Sequence, residues 1–127
     1  WGAAGSGSGQ FHLPHAIIVD RNNVVYVADR ENGRIEKFDL AGHYLGEIDG
    51  LGRVYSLALG DHGTLWATMS PLNVPPGSPG WIVKMEHGSG KILGYVPVPD
   101  TPALHCLEVV NGNQLMTDVD NEVLWFK

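Results

Sequence analysis

Short apolar runs, broken by polar turns, recur along the chain. Residues 15–20 read His-Ala-Ile-Ile-Val-Asp, followed by Arg21-Asn22-Asn23 and then by Val-Val-Tyr-Val-Ala-Asp at 24–29. Residues 55–59 (Tyr-Ser-Leu-Ala-Leu) precede a Gly-Asp-His-Gly turn and a second run at 64–68. Residues 105–110 (His-Cys-Leu-Glu-Val-Val) precede Asn-Gly-Asn and a run at 114–118. Each set predicts a strand, a tight turn and a returning strand, because alternating or continuously apolar runs of this length suit half-buried or buried strands. The Asn-Asn, His-Gly and Asn-Gly turns place residues that tolerate positive φ where a hairpin needs them.

A third strand is predicted in each unit, at 34–38, 81–85 and 123–126, and a fourth in the first two, at 44–48 and 93–96. The units start at 15, 55 and 105, so the offsets are 40 and 50 residues. Four-stranded units at such spacing suit the blades of a β-propeller. The longer offset is explained by residues 71–80, a proline- and glycine-rich stretch that is excluded from helix and from central strand and is expected as an exposed rim loop. The Gly-Ser run at 5–9 has the composition of a flexible linker, but it precedes a strand as an inter-blade connection would, and that is the preferred reading. The expected fold is all-β: one unit over 1–127, three four-stranded antiparallel blades with inner strands near 15–20, 55–59 and 105–110. The third blade stops after its third strand, and Trp1-Gly2 reads as the tail of a fourth, as if one blade were shared between the termini.

Three blades leave unpaired sheet faces and free strand edges. Two copies would give six blades, within the range that propellers use. The expected partner is therefore a second copy in a homodimer, with blade three beside blade one of the partner. The composition, 43% hydrophobic and 17% charged, is that of a globular chain. A net charge of −6 without a Lys/Arg cluster argues against nucleic-acid binding. No apolar run reaches the roughly 20 residues that span a bilayer. Cys106 is the single cysteine, so no internal disulfide forms and the compartment stays open, a secreted or periplasmic setting included.

The stretch from Gly7 to His15, with the run Ala28-Asp29-Arg30-Glu31-Asn32-Gly33-Arg34-Ile35, resembles NHL repeats. More narrowly, it is similar to the C-terminal half of the peptidyl-α-hydroxyglycine α-amidating lyases and their bacterial relatives. The resemblance implies an NHL-type propeller of six blades, a zinc ion held by histidines in the central cavity, a nearby calcium and an active-site arginine. It also implies cleavage of a hydroxyglycine-extended peptide to an amide and glyoxylate. Residue by residue, His15 and His105 match zinc histidines and Arg30 matches the arginine. The family pattern Met-Pro-His-Asp is replaced here by Ala103-Leu104-His105-Cys106, so Cys106 stands where an aspartate helps bind calcium. The blade with the remaining zinc histidine and the active-site tyrosine would lie before Trp1.

Without the resemblance, His15 and His105 begin inner strands and read either as metal ligands or as polar residues lining a wet channel. A catalytic zinc takes three protein ligands, and two histidines fall short of that. Arg30 reads as a carboxylate anchor, for a peptide terminus or an α-keto acid, or as a surface ion-pair partner of Asp29 or Glu31. Arg34 is expected to tie adjacent blades together. Asp29 and Asp118 are expected to cap turns, Cys106 to be a buried structural thiol, and Trp66, Trp81 and Trp125 to fill the space between blades. Two functions follow. The first is a binding or assembly module for a peptide or small molecule. The second is a zinc-dependent, amidating lyase-like enzyme, inactive alone, whose site another chain completes.

Overall fold

The computed structural model describes residues 1–99, 104–110, 114–119 and 122–126. Among them there are strands and turns and no helix. Strands β1 (Ala3–Ala4) and β2 (Gln10–Phe11) form a short parallel pair. Strands β3 (Pro14–Val19), β4 (Val25–Asp29), β5 (Arg34–Phe38) and β6 (Tyr44–Ile48) form the first antiparallel sheet, in chain order. Strands β7 (Arg53–Leu59), β8 (Thr64–Ser70), β9 (Gly80–Glu86) and β10 (Ile92–Val98) form the second. Strands β11 (Leu107–Val110), β12 (Gln114–Val119) and β13 (Glu122–Phe126) form a third sheet of three strands. The chain is thus all-β, three successive antiparallel blades of a propeller. The turns form as their residues dictate: Asn23, His62 and Gly63 all have positive φ. The turn at 111–113 lies outside the described residues.

The first strands of the blades are the inner ones, since β7 lies against both β3 and β11. Between blades one and two the core is Tyr26, Ala28 and Ile35 against Val54, Leu57, Leu65, Ala67, Met69 and Val83, with Trp81 packed at its edge. Between blades two and three it is Ala58, Trp66, Ile82, Leu104 and Leu107. Trp66 and Trp81 therefore fill inter-blade space as expected; the side chain of Trp125 lies outside the described residues. At the far rim the Tyr26 hydroxyl donates to Asp20 Oδ2 at 3.1 Å and pairs with His87 Nδ1 at 2.8 Å, which joins blades one and two by polar contacts. Gly80 is required by contact: a Cβ there would lie 1.9 Å from the Met69 carbonyl oxygen.

The other face of blade one is also apolar, with Val25, Val27, Phe38 and Phe11 in one cluster. Trp1 covers part of it, its ring 4.5 Å from that of Phe38. Trp1 therefore lies on blade one of its own chain and not along blade three, because the rings of Phe11 and Phe38 offer it aromatic contacts, although it stays largely exposed. The run at 5–9 is an ordered connection, held by Gly5 N–H to the Phe11 carbonyl at 3.1 Å and Gly9 N–H to Glu36 Oε2 at 2.9 Å.

Arg34 holds that connection. It is buried, and its Nη2 donates to the Gly7 and Gln10 carbonyls at 2.9 and 2.8 Å. Its Nε donates to Asp29 Oδ2 at 2.9 Å and its Nη1 to Glu47 at 3.0 Å. Glu36 Oε1 lies 3.0 Å from Nη2 as an ion pair. Arg34 thus ties blade one to the segment before it and does not bridge to blade two, because its partners all lie on its own sheet and on that segment. Asp29 does not cap the following turn through that turn's backbone: it accepts the His12 N–H at 2.7 Å, from the segment before β3, and meets the turn through Asn32 Nδ2 at 2.7 Å. The Asp118 side chain lies outside the described residues. Burial pushes the Glu36 carboxyl above its ordinary pKa, partly offset by the Gly9 N–H and the Arg34 charge.

Arg34→Ala would strand the carboxylates of Asp29 and Glu36 in the interior. Breaking a buried ion pair costs about 3–5 kcal/mol, so the urea midpoint at neutral pH should fall by that equivalent. An unchanged midpoint would show that the network carries no net stability.

Candidate functional site

The site forms where the inner strands begin. Pairing of β3 with β4 is interrupted between Pro14 and Ala16, and pairing of β7 with β8 between Val54 and Ser56. The residue that drops out of register is His15 in blade one and Tyr55 in blade two. An irregularity of this kind bends the strand and re-aims one side chain. His105 comes just before β11 in blade three. The three rings meet: His15 and His105 are 5.3 Å apart between centroids, His15 and Tyr55 5.6 Å, and Tyr55 and His105 5.5 Å. The Arg30 guanidinium lies over the Tyr55 ring at 5.5 Å.

The structure thus brings together all three residues singled out from the sequence, His15, Arg30 and His105. Two details differ from expectation. His105 lies beside His15 of its own chain, whereas the order of blades placed it beside that of a partner; the rings meet because both lean over Tyr55. Cys106 is exposed, not buried. It precedes β11, so strand alternation does not govern its direction, and its carbonyl accepts from the Thr117 hydroxyl.

Hydrogen bonds set the chemistry of each group. His15 Nδ1 is 2.6 Å from the Tyr55 carbonyl oxygen. A carbonyl only accepts, so Nδ1 carries the proton, and in the neutral ring Nε2 keeps its lone pair. The Tyr55 hydroxyl is engaged: it pairs with Ser70 Oγ at 3.2 Å and accepts from Gly77 N–H at 3.1 Å. Tyr55 therefore offers its ring to the site and its oxygen to the 71–80 loop. Arg30 Nε donates to Glu31 Oε1 at 2.9 Å. Among the described residues its two terminal nitrogens have no hydrogen-bond partner. Glu31 also accepts from Arg53 Nε at 3.0 and 3.1 Å. Two guanidiniums around one carboxylate leave a net positive charge at the mouth, in a chain that is negative overall. Beside His15, Trp1, Phe11, Pro14, Ile17 and Val27 line an apolar recess of about 620 Å³ on the open side of blade one.

The resemblance implies zinc, and His15 and His105 are the donors that would hold it. The tautomer of His15 suits a ligand whose other nitrogen is hydrogen-bonded to a carbonyl. Among the described residues, no three His, Cys, Asp or Glu side chains gather as a metal-holding group. The described donors by themselves bring two histidines, His15 and His105, to one place, short of the three protein ligands a catalytic zinc takes. Tyr55 went unnoticed in the sequence because an apolar-flanked tyrosine reads as core; its alignment with His15 and His105 at the head of each unit was the signal.

Residues 11–38 match the NHL repeat family model. Among solved structures, the chain is similar to the hydrazine synthase of Kuenenia stuttgartiensis, with 16% identity, a TM-score of 0.67 and 88% of this chain covered. The match spans 33% of that protein's length. At this identity the likeness bears on the fold alone.

Burial raises the pKa of Glu31, but hydrogen bonds and charge from Arg53 and Arg30 outweigh it and hold the group below its ordinary value of 4.5. A depressed carboxyl stabilises the folded state above its unfolded pKa, and that stability is lost as pH falls through the folded value. The stability difference between wild type and Glu31→Gln should therefore be full above about pH 4.5 and shrink below it. Thermal melts of both proteins across the acid range would show it, and a constant difference would count against the ion pairs.

Proposed function

We propose that the chain is an NHL-type propeller module that binds a carboxylate-bearing small molecule or peptide end at the mouth of its channel. The observation that carries this reading is Arg30. Its guanidinium is anchored through Nε and stacked over Tyr55, while its terminal nitrogens are free of described partners. A planar fork presented in this way suits the two oxygens of a carboxylate. His15 and His105 supply further polar contacts beside it. Arg30→Lys keeps the charge and loses the fork, so affinity for a carboxylate ligand should drop about tenfold, the scale of one charge-assisted hydrogen bond. Calorimetric titration with glyoxylate, and with a peptide bearing a free or amidated C-terminus, would test it. Equal binding of the free and amidated peptides would refute the reading.

Assembly belongs to the same proposal. On the open side of blade one Ile17 is 63% and Val19 46% exposed, beside the apolar recess. A second copy contributing three more blades would cover this face and close a six-bladed ring. Sedimentation should then show a dimer at micromolar concentration, and Ile17→Asp should shift it towards monomer.

One observation favours a second reading, a zinc-dependent amidating lyase-like enzyme completed by another chain. The hydrogen bond from His15 to the Tyr55 carbonyl fixes the tautomer that a metal ligand uses. Zinc titration would detect binding that is lost in His15→Ala and in His105→Ala. It should weaken on acidification, because protons compete for the ligating lone pairs. No zinc uptake by the assembled protein would leave the binding module alone.

A further inference from the structure

We propose that Glu31 and Arg53 act as positioning residues that clamp Arg30 to the 71–80 loop, so that this loop is the specificity-determining wall of the channel site. The inference rests on the reading of Arg30 as a carboxylate anchor and adds what surrounds the bound carboxylate.

The clamp is continuous. Glu31 Oε1 accepts from Arg30 Nε at 2.9 Å and from Arg53 Nε at 3.0 Å. Arg53 is buried, and its Nη1 donates to the Pro71 carbonyl at 2.9 Å and to the Val74 carbonyl at 2.6 Å. One carboxylate therefore fixes two guanidiniums, one facing the site and one holding the start of the loop. The loop is held again at Gly77, whose N–H donates to Tyr55 Oη at 3.1 Å. It also leans on the turn that follows Arg30: Gly33 has φ +66°, and a Cβ there would come within 2.7 Å of Leu72 Cδ1. Turn, inner strand and loop are thus coupled at the place where the rings meet.

The loop's own chemistry decides what it selects. Pro71, Pro75, Pro76 and Pro79 have no N–H to offer. The Pro71 and Val74 carbonyls are taken by Arg53, the Pro75 carbonyl by Ser78 N–H at 3.2 Å, and the Gly77 N–H by Tyr55. With these four backbone groups engaged, four prolines, Leu72 and Val74 make much of the loop's surface proline ring and aliphatic carbon, with Asn73 and Ser78 as its polar side chains. Beside a cationic fork such a wall favours a carboxylate carried on an apolar body over one that is small or hydrated. A lysine at 53 could not replace the arginine, because one ammonium cannot meet the Glu31 carboxylate and two loop carbonyls in that planar geometry.

Titration of the intact chain with benzoate, acetate and benzamide tests this. The wild type should bind benzoate at least about tenfold more tightly than acetate, the scale expected when an apolar body leaves water. Glu31→Gln and Arg53→Lys should each bring the ratio below about threefold, because the wall is no longer held. The double variant Pro75→Ser/Pro76→Ser should do the same without touching an ion pair, and it keeps the test open if a clamp variant fails to fold. A ratio that stays at the wild-type value in folded variants overturns the positioning role while leaving Arg30 as the anchor. Benzamide bound as tightly as benzoate by the wild type overturns the anchor itself, and the clamp with it.

Discussion

Blades one and two carry apolar residues on both faces, and each face needs a cover. In blade one, Tyr26, Ala28 and Ile35 face blade two, while Val25, Val27 and Phe38 face the other way. β-strand alternation makes this unavoidable, since successive side chains point to opposite faces. The second blade is covered on both sides, the first on one side by its neighbour and on the other only in part by Trp1 and Phe11. The same packing draws the inner strands together, so that their first residues converge. The channel site is thus a by-product of covering sheets: three blades supply three side chains, from residues 15, 55 and 105, to one small space.

Charge is handled differently at two places in blade one. Arg34 sits among the buried Asp29 and Glu36 and the exposed Glu47, with more carboxylates than cations, and its guanidinium is fully used. Arg30 and Arg53 share the single carboxylate of Glu31, an excess of cation, and Arg30 keeps unused donors. The first arrangement fixes the connection at 5–9 against the sheet. The second leaves a local positive charge facing the channel. Two arginines four residues apart therefore do opposite work, and the difference lies in how many carboxylates surround each one.

The strands were legible because their signals are local. Residues 34–38 and 44–48 are strands as the alternation predicts, and Asn23 and the His62-Gly63 pair take the positive φ that their types allow. What was hidden depends on register. Nothing in the sequence marks where pairing slips, so the re-aiming of His15 and Tyr55 emerges only in the folded sheet. Cys106 was misread for the same reason, since the burial expected of its residue type assumed that it lay within a strand. Arg34 was expected to tie adjacent blades; it ties blade one to the segment before it instead, because besides its carboxylate partners it meets the backbone carbonyls of residues 7 and 10, which no charge pattern marks.

The 71–80 loop shows how composition can be read correctly and still understate a role. Its prolines keep residues 71–79 out of the sheet, as a segment between β8 and β9, while Gly80 opens β9. Yet a loop without regular structure must still place its carbonyls and N–H groups, and here side chains of β7 receive them. Arg53 and Tyr55 are both inner-strand residues of blade two, separated by one position, and both reach the loop. Tyr55 also forms the floor beneath Arg30. The loop is thereby linked to both Tyr55 and, through Arg53 and Glu31, to Arg30, by contacts of about 3 Å on each side. The insertion that lengthens the second repeat is therefore bonded to the inner strand that carries the site.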